Sequence, residues 1–296
     1  MSDSALHHPR RRTLILVALA AVALIGAMIG WKTWHDTLSD PAVRRTSVIL
    51  RDMSPGAEPV TVALISDIHV AGPDMPPKRL ERIVAQINAL GPDAILIAGD
   101  LVSEKGLTTH IYQPNEAVAP LSGLTAPLGV YLVPGNHDHW YDWPGLKAEL
   151  AETDITVLEN EAAQAGPLVI GGLDDEYTGH EDIPKTLVAM DAMEGGRIFL
   201  SHGPDPLPDL PNGSVILAGH THCGQVQLPL IGMVFTQSRY GTRFACGRTD
   251  DPLGIAIVGA GLGTSGLPVR YDTQPEIWLI ELRPPEGSPT AANSSD

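Results

Sequence analysis

Cysteine is nearly missing from this chain: Cys223 and Cys246 are the only two in 296 residues. That scarcity excludes a disulfide-framework fold. Basic residues are also scarce, with 19 Lys and Arg against 35 Asp and Glu and a formal charge of −16. Nucleic acid is therefore excluded as the default partner, because affinity for phosphate backbones rests on Lys and Arg. A phosphate ligand stays open if bound cations supply the local positive charge. No internal repeat is found. Apolar residues at 43% and charged residues at 18% describe an ordinary globular composition. Without its ends, a chain of this length supports one substantial core.

Long uncharged runs are rare too, and residues 14–31 stand out. As a helix this run spans about 27 Å, the thickness of a hydrocarbon core. Arg10, Arg11 and Arg12 precede it. By the positive-inside rule they put the N-terminus in the cytoplasm and the rest of the chain outside, although Lys32, Arg44 and Arg45 follow on the far side. The run exceeds a usual signal-peptide core and no A-x-A-like site follows it, so it reads as an uncleaved anchor. The resulting plan is a basic N-terminus at 1–13, an anchor or signal-like segment at 14–31, and a linker at 32–59 with one strand near 47–50. A globular domain at 60–283 and a polar tail at 284–296 complete it.

Within the domain, β-rich runs alternate with helical spacing. Residues 60–66 form a β-branched strand that ends at Asp67. Leu80, Ile83, Val84, Ile87 and Leu90 then follow at helical intervals, and Gly91-Pro92 stops them. A second buried strand, residues 94–98, ends at Gly99-Asp100. This β-α-β unit places Asp67 and Asp100 at the same edge of neighbouring parallel strands, where open α/β sheets build their sites. Further strands are expected at 129–133, 155–158, 168–171, 197–200 and 214–217, with helices near 116–124, 143–153 and 183–190. Strands at 225–228, 254–258 and 277–282 close the chain without helices between them. Together these predict two packed sheets with helices outside.

Several of these runs end in metal-ligand residue types: Asp67-Ile-His69, Gly99-Asp100, Gly135-Asn136-His137-Asp138, Ser201-His202 and Gly219-His220-Thr-His222. Two divalent cations roughly 3.5–4 Å apart need a bridging ligand. Asp100 suits that role, on a Gly-preceded turn between the other ligand strands. Asp67, His69 and His222 are then expected on one metal and Asn136, His202 and His220 on the other. Such a site carries net positive charge and suits an anionic phosphoester. The metals would activate a shared water as hydroxide and orient in-line attack. His137 is expected to protonate the leaving oxygen or stabilise an oxyanion, with Asp138 orienting it.

Taken in order, these blocks resemble the signature of calcineurin-like metallophosphoesterases, over about residues 60–282. Gly263-Thr-Ser-Gly-Leu-Pro-Val-Arg270 and Pro275-Glu276-Ile277 are similar to the closing blocks of a membrane-anchored bacterial branch of phosphodiesterases. The resemblance implies a four-layer α-β-β-α sandwich and a pair of Mn, Fe or Zn ions on the ligands just given. It implies a phosphodiesterase or pyrophosphatase in the bacterial inner membrane, single-pass, with its domain on the extracytoplasmic side. The anchor points to an amphiphilic substrate: a phospholipid, a lipid-linked sugar nucleotide or an undecaprenyl-type carrier. The alternatives are a phosphomonoesterase or nucleotide hydrolase, or a membrane-tethered scaffold without catalysis. Cys223 and His139 depart from the usual Gly and aromatic of the family.

Other residues invite blander readings. His110, His139 and His180 read as loop or surface residues, and Asp174-Asp175 as a solvated loop. Cys223 reads as a small pocket-wall residue, with a bond to Cys246 as the alternative outside the cytoplasm. Gly261-Leu-Gly263-Thr-Ser-Gly266 matches a dinucleotide fingerprint, but Pro268 and an extended segment follow where a helix must open. These glycines instead suit a tight loop at the site, from which Arg270 is expected to meet substrate phosphate or form a structural ion pair.

Overall fold

A computed structural model of the chain describes residues 9–103 and 106–286. The basic N-terminus up to residue 8 and the tail from residue 287 lie outside the described residues. The first half carries α1 (Pro9–Leu38), β1 (Ala42–Ile49), β2 (Val60–Ser66), α2 (Pro77–Ala89), β3 (Ala94–Ala98), α3 (Pro114–Val118), β4 (Val130–Val133), α4 (Asn136–Tyr141) and α5 (Trp143–Leu150). Next come β5 (Ile155–Val157), β6 (Glu161–Ala165), β7 (Leu168–Gly172), α6 (Ile183–Asp191), β8 (Gly196–Leu200) and β9 (Ser214–Ala218). A small hairpin, β10 (Gln227–Leu228) and β11 (Gly232–Met233), precedes β12 (Gly247–Asp251), β13 (Gly254–Val258) and β14 (Glu276–Arg283).

Two six-stranded sheets result, ordered β1-β14-β2-β3-β4-β5 and β12-β13-β9-β8-β7-β6. Side chains alternate across each strand, so β2 serves two cores at once. Val62 and Leu64 join Leu96, Ile170, Ile198 and Leu217 between the sheets. Ala63 and Ile65 face the other way and pack with Leu80, Ile83, Ile87, Leu146 and Leu150 of α2 and α5. On the far side, Val169, Phe199 and Ile216 pack with Met190 of α6. The layers run α-β-β-α. Pro77 opens α2, and Gly91, at φ +62°, ends it in the left-handed region. The strands β2 to β5 are mutually parallel, as are β7, β8, β9 and β13. Their C-terminal ends therefore collect at one edge of each sheet.

The linker expected at 32–59 is instead part of the domain. α1 runs 30 residues, past the apolar stretch to Leu38. Its end is gripped: Arg79 donates to the carbonyls of Thr37 (3.0 Å) and Ser39 (2.9 Å). The expected strand at 47–50 is the last part of β1, which pairs in parallel with β14 along its whole length, Ala42 opposite Glu276 to Ile49 opposite Arg283. Local pattern concealed this because the partner lies at the other end of the chain. The helix expected at 116–124 divides into α3 and a 3-10 turn at Ala119–Gly123. Edge strands β6 and β12 and the short α4 were not foreseen.

Leu96 is fully buried between the sheets and Val188 on α6 is 72% exposed. Leu96→Ala should cost about 2–5 kcal/mol in denaturant unfolding, whereas Val188→Ala should change stability by less than about 0.5 kcal/mol. Equal losses would contradict the two-sheet core.

Candidate metal centre

The ligand-type residues sit on the turns that leave the parallel strands. Asp67 and His69 follow β2, Asp100 follows β3, Asn136 follows β4, His202 follows β8, and His220 and His222 follow β9. Asp67 (φ 48°), His69 (50°), Asp100 (57°), His220 (69°) and His222 (51°) all occupy the left-handed region. That conformation costs a non-glycine residue on the order of 1–3 kcal/mol and concentrates at functional sites. Gly99, at φ +73°, permits the turn into Asp100: a Cβ there would stand 2.7 Å from the Gly135 nitrogen. The rejected dinucleotide motif packs from below. The Gly263 N–H donates to the Asp67 carbonyl (2.8 Å), and a Cβ on Gly261 would meet the Asp67 Cβ at 2.6 Å.

Asp100 is the centre of the arrangement. Its Oδ2 lies 3.5 Å from His69 Nε2 and 3.3 Å from His202 Nε2. On the first side, His69 Nε2 approaches His222 Nε2 at 3.1 Å, and His222 Nε2 is 3.4 Å from Asp67 Oδ1. On the second, His202 Nε2 lies 3.0 Å from both Asn136 Oδ1 and His220 Nδ1. All of these side chains are buried.

Tautomers follow from the outer contacts. A carbonyl only accepts, so His69 Nδ1–H donates to Val102 O (3.1 Å) and His202 Nδ1–H to Ala98 O (2.8 Å). Their Nε2 lone pairs then face other donor atoms at close range. A cation between them would resolve that crowding, and ligating histidines are held by such outer partners. Asp67-His69-His222 and Asp67-Asp100-His202 each bring one donor atom per residue within 4.8 Å of the others, as does His69-Asp100-His137. The donor set fits two divalent cations sharing Asp100.

Burial and mutual charge shift these groups in opposite directions. Burial pushes Asp67 up to about 6, against the pull of His202. Burial also works against Asp100, but His202, His69 and His137 outweigh it and hold the carboxyl well below its usual range. Burial and His202 lower His220 to about 3, and burial and His69 take His222 well below its ordinary value. Neutral imidazoles at His220 and His222 are ready ligands, whereas for His202 burial is outweighed by Asp100 and Asp67, which raise the ring well above its ordinary value.

His137 stands at the rim. Its N–H donates to Asp100 Oδ1 (2.8 Å), and its ring lies edge-on to His69 (4.9 Å) and to Trp140 (5.0 Å). Ser265 Oγ is 3.5 Å from its Nε2. Trp140 and Tyr177, whose ring is 5.0 Å from that of His220, complete the rim. Neither aromatic nor Ser265 was singled out from sequence. The available signal for Tyr177 was its place just past the end of β7, at the edge that carries the ligands.

Four expectations change. Asp138 does not touch His137: it is fully buried and accepts N–H groups of Asp100 (2.9 Å), Gly135 (2.9 Å) and Leu101 (2.7 Å), tying the two ligand turns together. Burial and Asp100 raise its carboxyl to about 7 against those donors. Arg270 points inward rather than toward the site's mouth. It is 0% exposed and donates to the carbonyls of Ala260 (2.7 Å), Gly261 (3.2 Å) and Gly263 (2.5 Å), bracing the glycine loop under Asp67. Asp174 and Asp175 are buried rather than solvated. His139 bonds Asp174 Oδ1 at 2.8 Å and stacks on His180 at 4.1 Å. Cys223 is bonded to Cys246, closing the loop that leaves His222.

Residues 60–224 match the model of the calcineurin-like phosphoesterase family. A Bacillus subtilis protein described as an uncharacterised metallophosphoesterase, YkuE, is 33% identical across 69% of this chain and 72% of its own. A zebrafish "transmembrane protein with metallophosphoesterase domain" is 29% identical across 93% of this chain, which spans only 63% of that relative's length. A solved NAD nucleotidase from Haemophilus influenzae aligns with a TM-score of 0.45 and 16% identity, over 69% of this chain and 46% of that one.

Asp138→Asn leaves one acceptor oxygen for four N–H groups, those of Asp100, Leu101, Val102 and Gly135. It should destabilise even the chelator-treated protein by roughly 1–3 kcal/mol, read as a lower unfolding temperature, while His137→Asn leaves that temperature unchanged. Equal unfolding temperatures with a shared catalytic defect would restore an orienting role for Asp138.

Proposed function

The chain belongs to the calcineurin-like phosphoesterase family, and on that premise we propose a membrane-anchored, two-metal phosphodiesterase or pyrophosphatase acting on an amphiphilic phosphoester. The observation that carries the proposal is the single oxygen, Asp100 Oδ2, set between His69 and His202 at the meeting of two ligand groups. Asp67, His69 and His222 would hold one cation, and Asn136, His202 and His220 the other. When bound, such a pair lowers the pKa of water and neutralises charge on the phosphoryl oxygens.

The protein's own groups supply the rest. His137, partly exposed and with its Nε2 beside Ser265 Oγ, gives a proton to the leaving oxygen as the P–O bond breaks. Its ring is steadied by His69 and Trp140, and its backbone by Asp100. Asp138 keeps the two ligand turns at fixed spacing.

Membrane attachment rests on α1. Residues Arg12–Leu38 are apolar enough to cross a bilayer and none of the most apolar window is buried. The zebrafish and bovine relatives are both described as transmembrane proteins. The Arg cluster supports a cytoplasmic N-terminus with the domain outside. The Cys223–Cys246 bond supports that side, since disulfides persist in oxidising compartments. In a bacterium this is the outer face of the inner membrane.

With Mn²⁺ and the full chain in detergent, bis-p-nitrophenyl phosphate should turn over faster than p-nitrophenyl phosphate. Asp100→Asn should abolish turnover, and His137→Ala should lower kcat by about 10²–10⁴ with metal content unchanged. A preference for the monoester would favour the phosphomonoesterase alternative. Undiminished turnover in Asp100→Asn would contradict the site.

A further inference from the structure

Residues 223–238 contain no charged side chain, in a chain whose charged fraction is 18%. Much of this stretch is the hairpin β10–β11, and it is not buried. Leu230 is fully exposed, Ile231 is 71% exposed, Val234 61% and Phe235 67%. Contiguous exposed apolar surface of this kind marks a contact site.

What the hairpin contacts is indicated by its attachment. Its base is bonded to residues 271–273: Gln227 N–H donates to Tyr271 O (2.9 Å), Tyr271 N–H to Gln225 O (3.1 Å) and Thr273 Oγ1 to Gln225 O (2.5 Å). The same short segment grips the end of α1. Lys32 Nζ lies 3.0 Å from Asp272 Oδ1 and 5.1 Å from the centre of the Tyr271 ring. Asp272 N–H donates to Asp36 Oδ2 (3.1 Å), and the neighbouring Arg270 N–H to Thr37 Oγ1 (2.7 Å). Helix end and hairpin base even line one cavity of about 330 Å³, through Lys32 and Asp36 on one side and Cys223 and Gln227 on the other. Hairpin and apolar helix are thus fixed to one rigid strip.

The hairpin is fixed to the site as well. It leaves directly from His220 and His222, locked by the Cys223–Cys246 bond. Gln225 Nε2 donates to the carbonyls of Ser265 (3.0 Å) and Leu267 (3.1 Å), in the loop whose Ser265 approaches His137. Leu267 is itself 52% exposed.

We propose that the 227–235 hairpin is a second bilayer contact, inserting Leu230, Ile231, Val234 and Phe235 into the leaflet that α1 enters. It holds the mouth of the metal centre against the lipid headgroups. The substrate class that follows is a phosphoester in the headgroup of a membrane lipid, taken without leaving the leaflet. This rests on the anchored-hydrolase reading above and names where its substrate comes from. Interfacial segments bind by buried apolar area in this way.

The native cysteines are bonded to each other, so one introduced thiol can be labelled in the full chain. Spin labels at Leu230→Cys, at Ala20→Cys in α1 and at Val188→Cys on α6 would be compared in phosphatidylcholine–phosphatidylglycerol vesicles. The readout is collision with oxygen against collision with a water-soluble nickel chelate. The expected result is oxygen-rich, nickel-poor surroundings at positions 20 and 230 and water-like surroundings at 188. A label at 230 that matches 188 while 20 stays deep overturns the hairpin contact alone. Water-like surroundings at 20 overturn the anchor and the inference together.

A second arm reads the substrate. Ile231→Ser with Phe235→Ser should slow hydrolysis of hexadecyl p-nitrophenyl phosphate in those vesicles by about tenfold or more, through loss of interfacial area. Bis-p-nitrophenyl phosphate turnover should stay unchanged. Equal effects on both esters, or none on either, overturn the headgroup assignment. A wild-type protein inert toward both esters refutes the hydrolase reading, and the headgroup assignment with it, but not a hairpin contact established by the labels.

Discussion

A buried carboxylate between two groups of imidazoles is the constraint from which the rest of the structure follows. Asp100 is 1% exposed, with His69 on one side and His202 on the other. Charges taken out of water are costly unless paired and hydrogen-bonded. The chain meets that cost with backbone. Asp138 holds the turns of Asp100 and Gly135 together, the carbonyls of Ala98 and Val102 fix two imidazoles, and Arg270 braces the loop beneath Asp67. Five ligand-type residues in the left-handed region add local strain, which the two sheets must absorb. Both sheets are needed, because His202, His220 and His222 leave one while Asp67, His69, Asp100 and Asn136 leave the other.

The same architecture couples the site to the apolar helix. The last turns of α1 are bonded to Arg79, Arg270 and Asp272, and β1 continues into the first sheet beside β14. No flexible tether separates helix from domain. The orientation of the metal centre relative to any membrane that α1 crosses is therefore set by hydrogen bonds.

The strand-end ligand blocks were legible in sequence because each requirement is local: a β-branched run, a turn and a ligand-type residue. The β-α-β unit around α2 was legible for the same reason, since Leu80, Ile83 and Ile87 declare their buried face. What escaped was non-local. β1 earns its place only through β14, more than two hundred residues later, and residues 161–165 and 247–251 are mixed-polarity edge strands whose pairing carries them. Arg270 resembled a phosphate ligand by charge, yet the inward carbonyls of residues 260–263 take its guanidinium. Asp138 followed a catalytic-type histidine in sequence, but the N–H groups that claim it come mostly from another strand's turn. Chain neighbours do not reveal such partners.

Asp100 would join two cations in one site. Mn²⁺ titration into the chelator-treated full chain, followed by low-temperature EPR, tests it most directly. Two ions should bind per chain, with the isolated six-line signal giving way to that of a spin-coupled pair, and Asp100→Asn should show no coupled signal. One ion per chain, or two that keep uncoupled spectra, would contradict it.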